Sequence, residues 1–501
     1  MTETQTDPWG TRGRAALWVQ ALAAAALLAF VLIGLNLLAR RFYVRKDLTT
    51  ERTFELDDAT VQRLRALPCD VTIYLVVPGP EAAGDRCVVS VWQKLQILCD
   101  EFQRRSPRVK HVLVSEANPT GLEDLRRHFE APVTNSIYFV GETAPGRFAK
   151  KAMTVAPGSF YDGDPTTGKL DNFFGERWML AGLVAVTTDR RQVVYSVIGH
   201  EEATISSGLA MLARFLDERE GIELRPLPLK EAADVPADAD AVLLAAPQVP
   251  LDAREIDVLK AYLARGGSLF IATVPDSRAD LNPFLKEYGV EVRRGVVLDP
   301  AENYRGDRRW LRIQRFGEHE VNRGMQNVNM SFILPFASVV GPLAKPPAGC
   351  TVTPILFAGP NAWEETGPLT QAWPKPDANE LRSTLSDPLP LGVAVSAALR
   401  GPAREGRRDA RLVVWGSAAA LFDYNFVLLG RTNFTNLEYI LNQFRWLMGR
   451  EELIAIPPKR PGQRPMDLSP SALDKIKWVT ILGFPVLGVI VGALAWFVRR
   501  K

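Results

Sequence analysis

The chain has 501 residues, with 60 Lys and Arg against 57 Asp and Glu, a net charge of +3 and 47% apolar residues. A balance so small and so evenly scattered excludes a nucleic-acid-binding surface. Four histidines are too few for imidazole-based metal chemistry, and Cys69, Cys87, Cys99 and Cys350 have neither zinc nor redox spacing, so buried thiols and no cofactor or metal are expected.

Residues 1–14 form a short polar N-terminus. Residues 15–39 then run without a charge, and about 25 such residues cross a bilayer core as one helix. A secretory signal has a shorter apolar core of about 7–15 residues, and Arg40-Arg41 follows here, so the segment reads as an uncleaved anchor. A first domain is expected over 47–155. Asp57 or Asp58 can cap a helix over 62–67, and strands are expected at 71–77, 109–115 and 136–140. Helices at 89–104 and 122–129, and a short strand around 147–153, complete the order βαβαββ, that of a thioredoxin-like domain. No C-x-x-C accompanies it. Val91, Leu95, Leu98 and Phe102 mark the buried face of the first long helix.

Over 190–450 the pattern becomes clean β/α alternation, the mark of a doubly wound domain. Strands are expected at 193–198, 222–226, 241–245 and 268–273, with an edge strand at 290–297. Helices are expected at 206–218, 250–264 and 281–288. The run Ala241-Val242-Leu243-Leu244-Ala245 is continuously apolar, as in a parallel strand covered on both faces. Residues 300–405 read as an irregular, proline-rich insertion. Strands return at 391–397 and 411–415, and a long helix spans 433–448 with Leu437, Ile440, Leu441 and Phe444 on one face. Residues 457–477 form a proline- and basic-rich tether. Residues 478–498 form a second apolar stretch, in which Pro485 is tolerable. Trp18 and Trp478 lie near span ends, where indole favours the interface. Two anchors put both termini on one side of the membrane and the body on the other. Basic residues flank both sides of both spans, so charge does not choose the orientation.

Several passages resemble, in order, the GldG-type auxiliary proteins of ABC transporters, named for a gliding-motility component. They are Asp47-Leu48-Thr49 with Phe54-Glu55-Leu56, the Gly199-His200-Glu201 turn, Ala239-Asp240 running into the 241–247 strand, the 261–267 segment ending in Arg265-Gly266-Gly267, and residues 437–449 leading to the closing span. The resemblance implies a non-catalytic membrane subunit that works beside a separate ABC ATPase and a separate multi-span permease. It implies an α/β domain similar to class I glutamine amidotransferases without their catalytic set. It also implies a bacterial inner membrane location, with both termini cytoplasmic and the central domain periplasmic.

Gly199-His200-Glu201-Glu202 follows a parallel strand, where α/β folds place ligands, and is the candidate binding site. The plainer reading is a strand-to-helix turn in which Glu201 or Glu202 favours a helix N-terminus. A membrane-tethered hydrolase-like or sugar-binding protein using the His200 pocket is the alternative function. No G-x-S-x-G or phosphate loop supports catalysis. The segment Gly163 to Lys169 resembles a phosphate loop only superficially and reads as a surface loop, and Asp162, Asp164 and Asp171 fit no EF-hand. In the second span, Gly488 and Gly492 form a G-x-x-x-G that would pack on the permease or on a second copy of the chain.

Overall fold

The computed structural model describes residues 55–454 apart from 80–83, 116–117, 189, 324, 326–330, 368–373, 400–408 and 431–432, together with Leu27, Phe30 and Gly34. The chain divides into two compact units between Glu55 and Leu56. No helix among the described residues is long and apolar enough to cross a membrane. The expected spans at 15–39 (but for the three helical residues just named) and 478–498, with Gly488 and Gly492, lie outside the described residues, as does the tether.

In the unit that begins at Leu56, Asp57 caps helix α1 (Asp58–Arg65), its carboxylate accepting from Ala59 N–H at 2.9 Å. Then come β1 (Val71–Val76), α2 (Cys87–Arg105), β2 (Val109–Val114), α3 (Pro119–Arg126), β3 (Ser136–Ala144) and β4 (Arg147–Thr154). The sheet order is β2-β1-β3-β4, with β1 parallel to β2 and antiparallel to β3. Val91, Leu95, Leu98 and Phe102 are all buried, as their spacing requires. Burying such a side chain contributes about 1.5–3 kcal/mol before ordering costs.

The core of this sheet is completed by residues 160–187, where no element was expected. A hairpin of β5 (Tyr161–Asp164) and β6 (Lys169–Phe173) leads into α4 (Gly175–Thr187), and Phe160, Trp178, Met179, Leu183 and Val186 pack with Leu95, Phe102 and Phe139. Helix α4 lies very close to β3. A Cβ at Gly182 would fall 2.3 Å from the Phe139 ring, so the approach needs glycine.

The second lobe runs β7 (Gln192–Ile198), α5 (Ala210–Phe215), β8 (Ile222–Pro228), β9 (Ala239–Ala245), α6 (Ala253–Ala264), β10 (Ser268–Ala272) and α7 (Asn282–Leu285). Strands β11 (Val290–Val292), β12 (Val296–Leu298), β13 (Asn303–Tyr304), β14 (Asp307–Ile313), β15 (Arg315–Phe316), β16 (Phe332–Pro335) and β17 (Val340–Pro342) follow. The chain closes with β18 (Cys350–Phe357), β19 (Trp363–Glu365), β20 (Pro390–Ala398), β21 (Asp409–Trp415), α8 (Asp423–Leu429), α9 (Asn433–Leu447) and α10 (Glu451–Ile454). Eight strands form one sheet in the order β15-β18-β20-β21-β10-β9-β7-β8. Strands β8, β7, β9, β10 and β21 are mutually parallel, and β20, β18 and β15 continue antiparallel. Every residue of β9 is buried. Leu243 faces the layer holding α5 and α9, and Leu244 faces α6.

Three expected elements differ. The segment 290–297 is not one edge strand: it breaks at Arg293 to Gly295, and its halves β11 and β12 pair with β17 and β19, outside the large sheet. Residues 300–405 hold eight strands among the described residues, of which β18 and β20 widen the central sheet. The helix expected at 206–218 starts at Ala210, because Leu209 N–H bonds Thr204 O and Gly208 takes a left-handed φ of +104°. It ends in a π-helical turn, Leu216–Glu220, closed by Gly221.

Candidate functional site at the strand crossover

Taken in chain order, the parallel strands lie 2-1-3-4-5 across the sheet (β8-β7-β9-β10-β21), so the winding direction reverses between β7 and β9. Ligands of such sheets bind beyond the carboxyl ends at that reversal. The His200 turn sits there. After β7, Gly199 has φ +121° and Glu201 φ +62°, and after β9, Ala246 has φ +59°. Left-handed conformations at non-glycine residues are costly and tend to gather where a fold is held for a purpose. The two loops are stitched together by Gln248 N–H and Val249 N–H donating to His200 O, and by Ala203 N–H donating to Ala245 O.

His200 is completely buried. Its Nδ1 lies 2.8 Å from Glu202 Oε1, and its own N–H donates to Glu202 Oε2 at 2.6 Å. Its Nε2 lies 2.9 Å from Glu255, with hydrogen-bond geometry to Oε2. Glu255 is held in turn by the capping box of α6, where Asp252 and Glu255 exchange side-chain-to-backbone hydrogen bonds of 2.8 Å. Each nitrogen faces a carboxylate oxygen, so one proton must lie in each of the two contacts, and His200 keeps no lone pair for a metal or a substrate. Buried carboxylates of this kind need such partners.

Of the three candidate residues, the structure brings His200 and Glu202 together, with Glu255 as the partner 55 residues away that sequence spacing did not reveal. Glu201 points outward to Arg278 at 3.4 Å, a surface pair of small energetic weight. The capping-box pattern marks Glu255 as part of the first turn of α6, but nothing in that pattern points to His200. Gly163 to Lys169 forms the β5–β6 turn, in which Asp164 accepts from Thr166 N–H and the Thr167 hydroxyl. Among the described residues no group of three or more His, Cys, Asp and Glu side chains is arranged to hold a metal ion, and the four cysteines are free thiols.

A second buried polar cluster ties the two sheets together. Arg177 of α4 donates to Glu438 of α9 at 2.5 Å, and Arg445 donates to Glu438 at 3.1 Å, to Asn442 at 2.8 Å and to Glu220 of the π-helical turn at 2.5 Å. Arg450 donates to the Glu220 carbonyl at 2.9 Å, and Arg219 lies over the Trp178 ring. Burial alone would raise the Glu438 pKa, but the guanidiniums of Arg445, Arg177 and Arg219 hold it down at about 2. The sequence signal was slight: Glu438, Asn442 and Arg445 share one face of a helix that is buried from Asn436 to Leu447.

Fold and site define a mixed α/β protein whose crossover crevice is closed by an internal imidazole–carboxylate clasp. Residues 191–444 match the family described as ABC-type uncharacterized transport system, and the chain belongs to that family, as an auxiliary component of an ABC-type transport system. No curated protein matches the chain. Among solved structures, the mmIFT52 N-terminal domain aligns at 16% identity over 51% of this chain and 97% of its own, with a TM-score of 0.39. A ThuA-like protein from Bacteroides uniformis aligns at 15% identity over 51% and 90%, with a TM-score of 0.27. The exo-β-1,4-mannosidase Op5Man5 from Opitutaceae bacterium strain TAV5 aligns at 10% identity over 72% and 50%, with a TM-score of 0.25.

Proposed function

We propose that the chain is a non-catalytic, membrane-anchored subunit of an ABC-type transport complex, of the GldG-like kind, serving as an extracytoplasmic scaffold or substrate-handling domain. The family match over 191–444 carries the reading. Its anchors are the apolar segments 15–39 and 478–498, in the inner membrane of a bacterium, with the body in the periplasm. Chemistry at the crossover favours a role without turnover. The strained residue at the tip of β9 is Ala246, whose methyl group is no nucleophile, and both His200 nitrogens are engaged. The chain has no phosphate loop of its own, so ATP hydrolysis belongs to a separate ATPase and passage to a separate multi-span permease. The β2-β1-β3-β4 sheet supports the thioredoxin-like reading of the first lobe, and the 2-1-3-4-5 parallel core is consistent with an amidotransferase-like second lobe.

Both edges of the described body contact one helix. Asp57 N–H donates to Glu176 Oε1 of α4 at 2.6 Å, and Leu453 packs on Leu180 and Val184 of the same helix. Eight residues of helix separate these points, about 12 Å. Affinity purification of the tagged full-length chain from its native membrane, in mild detergent, tests the reading. A P-loop ATPase and a multi-span permease should co-purify. Recovery of the chain alone, or from the soluble fraction, would overturn it.

A further inference from the structure

We propose that a cleft beyond the carboxyl ends of β9 and β10 binds a small hydroxylated anion, of the sugar-acid or sugar-phosphate class, with the Arg294 guanidinium as its anchor. The inference rests on the substrate-handling reading and names the kind of substrate. The cleft is shallow and open to solvent, its space of about 420 Å³ including the mouth. Its polar lining is Thr273, Ser277, Asp280, Asn282, Arg293 and Arg294, and it lies one strand away from the filled crevice at His200.

The walls are fixed before any ligand arrives. Ser277 Oγ donates to Pro247 O, joining the loops after β9 and β10, and accepts from Ala279 N–H at 2.9 Å. The Asn282 side chain bonds both N–H and C=O of Val292 at 2.9 Å, which sets where the next two residues stand. Arg293 is pinned through Nε to buried Glu364 at 2.5 Å, and Glu364 also accepts from Gly295 N–H. That ion pair uses one edge of the Arg293 fork.

Arg294 differs. It is exposed, lines the cleft, and among the described residues has no hydrogen bond or ion pair. A guanidinium held at a preformed cleft offers a planar fork that matches a carboxylate or phosphoryl group. Asp280 is the carboxylate of the lining; one oxygen accepts from Asn282 N–H at 3.0 Å and the other can accept from a hydroxyl. An anion-binding arginine and a hydroxyl-accepting aspartate in one cleft select a ligand that carries both groups. The lining holds no aromatic ring, so recognition rests on polar contacts rather than stacking.

The test is calorimetric titration of the full-length protein in nanodiscs with D-gluconate, glucose 6-phosphate and uncharged glucose. One of the two anions should bind and glucose should not, and whichever anion binds tighter names the acidic group. Arg294→Gln should weaken binding by about tenfold or more, the loss expected for one charge-assisted contact. Arg127→Gln, which removes an exposed charge at the end of α3 in the first lobe, should leave it within about twofold. No binding of either anion at about 10 mM, or equal binding by Arg294→Gln, would overturn the site. Co-purification of the ATPase and permease with Arg294→Gln is scored separately, so failure of the ligand site is distinguishable from failure of the auxiliary role.

Discussion

Arg445→Met is the perturbation that most directly probes the junction of the two sheets. Arg445 and Glu220 are essentially inaccessible, and Glu438 is 4% exposed, so neither carboxylate can recover its hydration when the guanidinium is removed. Methionine fills much of the volume, which isolates the electrostatic loss from a cavity. Glu438 keeps Arg177, and among the described residues Glu220 keeps Arg450 as a longer ion pair at 3.8 Å. Breaking a buried pair in this way costs about 3–5 kcal/mol. At roughly 2 °C per kcal/mol for a large domain, the melting temperature should fall by about 6–10 °C.

The pH dependence gives an independent check on that figure. In the parent, the Glu438 pKa is depressed to about 2, so its stabilising contribution is complete above its ordinary value near 4.5 and is lost as pH falls toward 2. In Arg445→Met, Glu438 loses its main cation and burial outweighs what Arg177 still supplies, so its folded pKa rises and acid relieves the strain. The deficit in melting temperature, followed by circular dichroism on the detergent-solubilised protein, should therefore be largest near pH 8 and shrink near pH 5. A variant melting within about 2 °C of the parent, or a deficit equal at both pH values, would refute the reasoning.

Leu244→Ala, on a strand buried from both sides, should cost about 2–5 kcal/mol, and chemical denaturation showing a loss below about 1 kcal/mol would mean that its site collapses freely. His319 packs edge-on against Trp446, and burial, helped by Arg411, depresses its pKa to about 4. The unfolded chain therefore takes up the proton first, and stability complete above about pH 6.5 should decline toward pH 4, a slope that His319→Gln should flatten. Protease added to intact spheroplasts should cut the body while terminal tags stay protected, and the reverse pattern would invert the proposed orientation. Replacing Gly488 and Gly492 with Leu should preserve membrane insertion and reduce recovery of the partner subunits, whereas parental recovery would make that span an anchor only.

Where local chemistry decides structure, the sequence was readable. The apolar run at 241–245 is β9, Asp57 caps the first helix, and the stripe Leu437, Ile440, Leu441 and Phe444 is the buried face of α9. What escaped depends on partners distant along the chain. Strand β12 is only three residues long and is defined by β19, with Val297 opposite Glu364. In β18, Pro354 interrupts a strand that nonetheless pairs with β20 from Cys350 to Phe357. The same holds for the site. His200 and Glu202 were visible as neighbours, but Glu255, which occupies the second nitrogen and turns an apparent pocket into a clasp, arrives from another helix. Arg177 and Glu438, 261 residues apart, leave no local pattern at all.

The attachment of Asp57 and Leu453, near the two edges of the described body, to α4 has a mechanical consequence. Any tension entering at Asp57 and leaving at Leu453 is resolved along a few turns of a single helix, instead of being drawn through the sheets. That helix is seated on Phe139 on one side and bolted to α9 by Arg177 on the other. A load carried by α4 therefore bears on both lobes at once through Arg177 and Glu438, instead of on a single strand edge.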